Sequence, residues 1–355
     1  MRMFCPEAIR YVKFDTLRGK RIAFDMSIYM YRFKKEKTLV ADMFTLFHQF
    51  KDCGIIPLFV FDGEPPKEKK QELKERRRLK AEATEKYERL KTELTENATE
   101  LEEAVKEEKM RELSQLEREF VTLKNSDISK MKSLIEAFGF AYIFASGEAD
   151  CLCAALELSG AVDAVMSEDG DMVAYGCSTI LRVPNLVMGT CELFDVAMVR
   201  RMLGISVPMI REMCVLSGTD YNVHAKKGED SDSDSDGDVD GAGDGDGDTH
   251  SAITMMDFFN AYTIMNELRS GPTAQDLSDQ LIRPIDMHLL DEMLRIKKID
   301  ADTYEVHTKT LHMYELNRDK LDEATMEFKA ANDEISEYNE QTIKTSLRNC
   351  GVLVC

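Results

Sequence analysis

Two short apolar runs, residues 20–25 (Lys-Arg-Ile-Ala-Phe-Asp) and 55–62 (Ile-Ile-Pro-Leu-Phe-Val-Phe-Asp), both end on an aspartate. They are continuously apolar rather than alternating, so they read as strands buried on both faces, with polar carboxyl ends. Similar runs follow at 140–144 (Phe-Ala-Tyr-Ile-Phe) and 161–166 (Ala-Val-Asp-Ala-Val-Met). Ahead of the third run, Ile128, Met131, Leu134, Ile135 and Phe138 recur at helical spacing, behind Asp127 as an N-cap and before Gly139 as a stop. Strand and helix alternate. This predicts an α/β fold with a central, mostly parallel sheet flanked by helices. In such open sheets the functional crevice lies outside the carboxyl ends of the strands.

Two stretches break the alternation. Residues 67 to about 124 are nearly all helix formers, with no glycine or proline, and predict one or two long helices projecting from the body. Their charge is uneven. Lys67 to Lys80 holds eight bases against three acids, whereas Ala81 to Glu119 holds thirteen acids against seven bases. The first part suits an anion-contacting face, although a charge run is usually just a solvated helix surface; the second reads as solvated. The other break is Glu229 to Asp248, where ten of twenty residues are acidic and none is basic. Such a segment cannot bury apolar surface, and an acidic disordered insert over 223–250 is expected. Asp232, Asp234, Asp236 and Gly237 imitate the front half of a calcium loop, but Gly243 stands where its bidentate Glu belongs.

Composition narrows the function classes. A 355-residue chain that is 43% hydrophobic can build a real core. The longest apolar run, Ile55 to Phe61, is far short of the roughly 18 residues that span a bilayer, so no membrane role is expected. The start, Met1 to Glu7, turns polar before an apolar stretch can form, which predicts no secretory signal and an intracellular protein. Nine scattered cysteines without a C-x-x-C pair predict free thiols and no zinc site. The formal charge of −20 argues at first sight against a ligand as negative as nucleic acid, but half of that excess equals the ten acids of the insert.

The acids at or just past the predicted strand ends and helix starts are Asp25, Asp62, Glu148, Asp150, Asp169, Asp171 and Asp220. A single Asp after a strand is more often a helix cap than a ligand. Seven carboxylates converging on one crevice would repel strongly unless cations neutralised them, and hard oxygen donors without histidine or thiolate suit magnesium or manganese. Spacing alone leaves a metal-dependent hydrolase and a sheet with well-capped helices both open.

The blocks around these acids resemble the flap endonuclease (XPG-type) family of structure-specific nucleases. They are Ile22-Ala-Phe-Asp25-Met-Ser-Ile-Tyr-Met-Tyr31, Phe59-Val-Phe-Asp62-Gly-Glu-Pro-Pro66, Ser146-Gly-Glu148-Ala-Asp150, Ser167-Glu-Asp169-Gly-Asp171 and Leu216-Ser-Gly-Thr-Asp220-Tyr221, in family order over about residues 8–222. The resemblance implies a PIN-like nuclease core (1–66 and 125–222), a helical arch (67–124), and a mostly helical C-terminal region (251–355) carrying a remnant of the duplex-binding motif. It assigns all seven acids to a site for two Mg2+ ions, with Mn2+ as a substitute, and Lys69 and Arg76 to the scissile phosphate. Tyr31, otherwise readable as a core aromatic, becomes a base-stacking platform, and Lys67, Lys70, Lys74, Arg77 and Lys80 become DNA-binding. The implied activity is two-metal hydrolysis of branched DNA with a 5′ single-stranded flap, leaving 5′-phosphates, in replication, recombination or repair, by a monomer in the nucleus or at another site of DNA replication. An RNA-cleaving relative acting in transcript decay and a catalytically silent DNA-junction binder are the alternatives.

Departures from the family pattern are also visible. The chain starts Met-Arg-Met-Phe rather than Met-Gly-Ile, the Gly-Ile-Gly duplex-gripping hairpin is not recognisable, and no sliding-clamp peptide precedes Cys355. They suggest a divergent member, of a kind a large DNA virus would carry.

Overall fold

The computed structural model describes residues 5–64, 69–96, 103–219, 261–263, 289–295, 299–333 and 340–349. Asp220, Lys67 and the acidic insert lie outside the described residues. The chain divides into two compact units, Met1–Ile205 with Glu315–Cys355, and Ser206–Tyr314.

A seven-stranded sheet forms the centre of the first unit. Its strands are β1 (Ile9–Lys13), β2 (Arg21–Asp25), β3 (Ile56–Phe61), β4 (Ala141–Phe144), β5 (Ala164–Met166), β6 (Thr179–Asn185) and β7 (Thr190–Asp195), in the order β1-β7-β6-β5-β2-β3-β4. The four apolar runs are β2 to β5, and all their mutual pairings are parallel. From β2 the chain moves outward through β3 and β4, then returns to place β5 on the other flank of β2. The gap between β2 and β5 is therefore a topological switch point, where open sheets hold their ligands.

The remaining strands were not expected. β6 and β7 form a hairpin, antiparallel to each other, and β1 pairs antiparallel with β7 at the sheet edge. β1 is half exposed, with Tyr11 open to solvent, so it lacks the apolar run that marks a central strand. Pro184 interrupts β6, at a register shift between Arg182 and Asn185, and Val183 there takes a positive φ of 47°. Pro in a run argues against a strand, and only a bulge accommodates it.

Helices α1 (Met26–Lys35) and α2 (Leu39–Cys53) link β2 to β3, and α5 (Asn125–Phe138) leads into β4. The expected stop at Gly139 is a left-handed residue, φ 68°. Asp127, however, is not the N-cap. It lies three residues into the turn, where its carboxylate accepts the Lys124 N–H at 2.8 Å and also bonds Lys34. Phe47 and Phe59 (centroids 4.5 Å apart), with Phe24, Phe50 and Phe138, form an aromatic core between the sheet and α2.

The long insertion is a pair of helices, α3 (Lys70–Glu96) and α4 (Glu103–Glu119). They run antiparallel: Lys86 pairs with Glu112 at 3.2 Å, Lys109 with Glu93, and Tyr87 packs edge-on against Phe120. The acidic part of this segment thus faces bases across the hairpin. Helices α6 (Ala149–Leu158) and α7 (Asp171–Tyr175) flank β5, and α8 (Val196–Leu203) follows β7. In the second unit, α9 (Val207–Ser217), α10 (Leu289–Arg295) and α11 (Ala301–Met313) pack together, and buried Glu212 accepts the Leu290 N–H at 2.8 Å.

The C-terminal region expected over 251–355 divides differently from one continuous helical domain. α12 (Arg318–Asp333) packs on α6 and β4, and α13 (Glu340–Asn349) packs on α5. Ile343 and Leu347 of α13 are buried in the main core, where the helix packs against the apolar face of α5.

Candidate functional site

Strand order sets four carboxyl ends side by side, and these carry the predicted acids. Asp25 ends β2, is 4% exposed, and caps α1 by accepting the Ser27 N–H at 3.1 Å. Asp62 follows β3 and reaches across to the first residue of α6, accepting the Ala149 N–H at 2.8 Å. Gly63 allows this close approach. Its N–H donates to Gly147 O at 2.7 Å, and a Cβ there would lie 2.0 Å from Ala145 O. Glu148 is the N-cap position of α6 and Asp150 lies in its first turn, 7% exposed. After β5, Asp169 accepts the Asp171 N–H at 2.8 Å, and buried Asp171 opens α7.

Ser167, fully buried at the end of β5, was not anticipated as a site residue. Its hydroxyl donates to Asp25 Oδ2 at 3.0 Å and accepts the Asp169 N–H at 3.2 Å, tying the two flanks of the switch point together. A serine directly before Glu-Asp-Gly-Asp was the available signal.

The electrostatics show how closely these acids are crowded. Burial, then the charges of Asp62 and, more weakly, Asp169, raise the Asp25 carboxyl to about 7 against the pull of the Ser167 hydrogen bond. Burial and Glu148 push Asp150 well above the carboxylate range, with Asp169 and Asp25 adding to the effect and Lys69 opposing it. Lys69, 6% exposed in the turn before α3, pairs with Glu148 at 2.8 Å. Among the described residues the buried Lys69 ammonium offsets only part of this crowding. Among the described residues no three His, Cys, Asp or Glu side chains are arranged to hold an ion as they stand. The capping bonds explain this: Asp25, Asp62, Asp150 and Asp169 each turn an oxygen to a backbone N–H. Capping and convergence therefore coexist. The donor set is all oxygen, and the raised pKa values of Asp25 and Asp150 are what a divalent cation would reverse, so the residues fit Mg2+ or Mn2+.

Lys69 and Arg76 stand in different surroundings. Arg76 is exposed on α3 and, with Tyr31, Lys35, Arg77 and Lys80, lines a hollow of about 510 Å³ at the base of the helical pair. Tyr31 is half-buried; the core aromatics of α1 are Tyr29, fully buried, and Phe33. The Lys80 ammonium lies 5.5 Å from the Tyr31 ring centroid. Lys74 is exposed on α3, and Lys70 opens that helix.

A family model described as the XPG N-terminal domain matches residues 2–83, and one described as the XPG I-region matches residues 139–220. The chain belongs to the XPG family of structure-specific nucleases. It is 31% identical over 235 residues to flap endonuclease 1-A of Oryza sativa subsp. japonica, covering 61% of this chain and 58% of that protein. To flap endonuclease 1 of Saccharolobus solfataricus it is 28% identical over 247 residues, covering 62% and 67%. The chain thus matches a little over half the length of several of its XPG relatives. In fold it is similar to the catalytic core of Rad2 in complex with DNA substrate (TM-score 0.51, 17% identity, covering 98% of this chain and 93% of that one). It is likewise similar to the Holliday junction-resolving enzyme GEN1 in complex with product DNA and Mg2+ (TM-score 0.52, 17% identity, covering 98% and 72%). These likenesses bear out the α/β fold with its mostly parallel sheet.

Proposed function

We propose that this XPG-family chain is a divalent-metal-dependent 5′ nuclease that hydrolyses phosphodiester bonds in branched DNA bearing a 5′ single-stranded flap, in replication, recombination or repair. The observation that carries the reading is the crowding of Asp25, Asp62, Glu148, Asp150, Asp169 and Asp171 at the switch point of the sheet, with Lys69 ion-paired among them. Two Mg2+ ions held by these acids and Asp220 would supply an activated water and neutralise charge on the phosphate.

The chain's own residues do the rest. Asp25 and Asp169 are held in register by Ser167, and Asp62 is anchored through Ala149 to α6. Lys69 keeps a fixed positive charge beside the acids, placed to meet the scissile phosphate as negative charge builds on its non-bridging oxygens. Water oxygen adds to phosphorus and the bond to the 3′ oxygen breaks. The fragments carry a 5′-phosphate and a 3′-hydroxyl. Arg76 and Tyr31, at the base of the helical pair, receive the strand next to the cleaved bond, the ring by stacking on an unpaired base.

Incubating the protein and magnesium with a labelled 5′-flap duplex and with single-stranded RNA tests the reading. Flap cleavage is expected. Cleavage of RNA alone would assign the site to transcript decay, and binding without any cleavage would make the chain a silent junction binder. Asp169→Asn and Asp62→Ala are expected to abolish cleavage and keep junction binding; variants that cut like the parent would remove the metal-site assignment.

A further inference from the structure

Glu168 stands between Ser167 and the proposed ligand Asp169, and it is an acid for which the metal site has no use. A further carboxylate beside so crowded a crevice is costly unless it is neutralised. It is neutralised by Arg32 of α1, with which it forms an ion pair; both side chains are half-buried.

The segment from Ser167 to Gly170 joins β5 to α7, carrying Asp169 and leading into Asp171. The bonds that shape it are local: the Ser167 hydroxyl accepts the Asp169 N–H, and the Asp169 carboxylate accepts the Asp171 N–H. Such bonds fix a turn but not its place on the sheet. Its place comes from anchors to other elements. The Ser167 N–H donates to Leu181 O of β6 at 3.1 Å, the Ser167 hydroxyl donates to Asp25, and Glu168 accepts from Arg32. Asp25 and Arg32 are the N-cap and the seventh residue of α1, two turns apart and on one helix face.

The two anchors to α1 differ in kind. Both oxygens of Asp25 already accept a bond, Oδ1 from the Ser27 N–H and Oδ2 from Ser167, so a bound cation has to share them. The Arg32–Glu168 pair contains no proposed ligand. A cation can enter without disturbing it, so the pair keeps the segment in place while the anchor through Asp25 is remade.

We propose that Arg32 and Glu168 form a strut that fixes the Asp169 segment against α1, which makes them positioning residues for the metal site rather than ligands or strand contacts. The inference rests on the metal site proposed above, and deepens it by naming what keeps its two flanks at the separation an ion needs.

Mn2+ binding in the absence of DNA, followed by the EPR signal of the free ion, tests the strut apart from the reaction. Charge and position predict different signs. Arg32→Ala makes the site more negative and Glu168→Ala less so; if charge alone mattered, the first would tighten Mn2+ binding, the second would weaken it, and the double variant would match the parent. A strut is lost equally in all three. Each single variant is therefore expected to weaken binding about tenfold, the lower end for residues that orient metal ligands, with no further loss in the double variant. Arg32→Lys, which can still pair with Glu168, should recover most of the affinity. Cleavage by the alanine variants should fall at limiting magnesium and recover as magnesium is raised, with KM for the flap unchanged. A half-exposed pair adds little to stability, so melting temperatures in EDTA should stay close to that of the parent and exclude misfolding as the cause. Opposite signs in the two single variants, or affinities equal to the parent's, overturn the proposal. So does weaker flap binding in EDTA for Arg32→Ala alone, which would make Arg32 a contact of the strand. A parent that binds no Mn2+ removes the metal site and the strut with it, whereas Mn2+ binding that depends on the pair in a protein that does not cut the flap upholds the strut and overturns the reaction.

Discussion

Asp25 serves two purposes that conflict until a cation is present. As the cap of α1 it must stay at the end of β2, and as one of a crowd of acids its charge is unwelcome there. With a folded-state pKa near 7, above that of an unfolded aspartate, the stability this group contributes is complete below about pH 4 and is lost as pH rises through 7. In EDTA the melting temperature is therefore expected to fall between pH 5 and pH 8. Asp25→Asn, which preserves the capping oxygen, should flatten that slope, melt roughly 3–8 °C higher than the parent at pH 8, and be inactive. Equal slopes in calorimetry would show that the carboxylate is not under this strain. Gly63→Ala gives the opposite result: its Cβ would strike Ala145 O, lose the bond to Gly147 and shift Asp62. A cost of roughly 2–4 kcal/mol in chemical unfolding is expected, with cleavage lowered at least ~100-fold. At this scale the acids were legible because they end apolar runs. Ser167 was not, because a serine acquires its meaning only from what other segments bring beside it.

Among elements, what the pattern disclosed and what it hid follow from burial. β2 to β5 are buried on both faces and therefore read as unbroken apolar runs; β1 is an edge, and β6 contains a proline at a register shift, so neither could be recognised. The length of the helical insertion was legible from its composition. Its acidic second half was not, because the bases that answer it, Lys86 and Lys109, sit across an antiparallel turn of the chain. The placement of α13 was equally hidden: nothing local in Glu340–Asn349 says which face it covers. Leu347, 5% exposed in the main core, makes the point testable. Leu347→Ala is expected to destabilise the nuclease core by roughly 2–4 kcal/mol in urea unfolding, although it lies 176 residues beyond Asp171, the nearest predicted acid of the sheet. A loss below about 0.5 kcal/mol, the range of surface substitutions, would detach α13 from the core.

For the whole molecule, the net charge of −20 says little about the surface that meets a substrate. Ten acids belong to residues 229–248, and most of the proposed site acids are buried or half-buried in one crevice, while the base of the helical pair is basic. Deleting residues 229–248 is expected to tighten flap binding several-fold at about 20 mM salt, with the difference vanishing near 0.3 M as screening shortens the reach of those charges. An unchanged affinity at low salt would show that the segment's field does not reach the bound DNA.

The hydroxyl of Ser346 donates to the carbonyl of Ser133 at 3.3 Å, and Ile343 and Leu347 on the same helix complete a core begun by Phe14 and Ile22. During synthesis the sheet and α5 leave the ribosome long before their last covering helix does. An emerging chain must keep that apolar face from other surfaces for the time it takes to translate some two hundred further codons, ~10–40 s at ordinary elongation rates. A nascent chain stalled before residue 340 should therefore recruit holding chaperones, and release them once α13 has emerged. The first unit would become a stable body only once α13 has emerged.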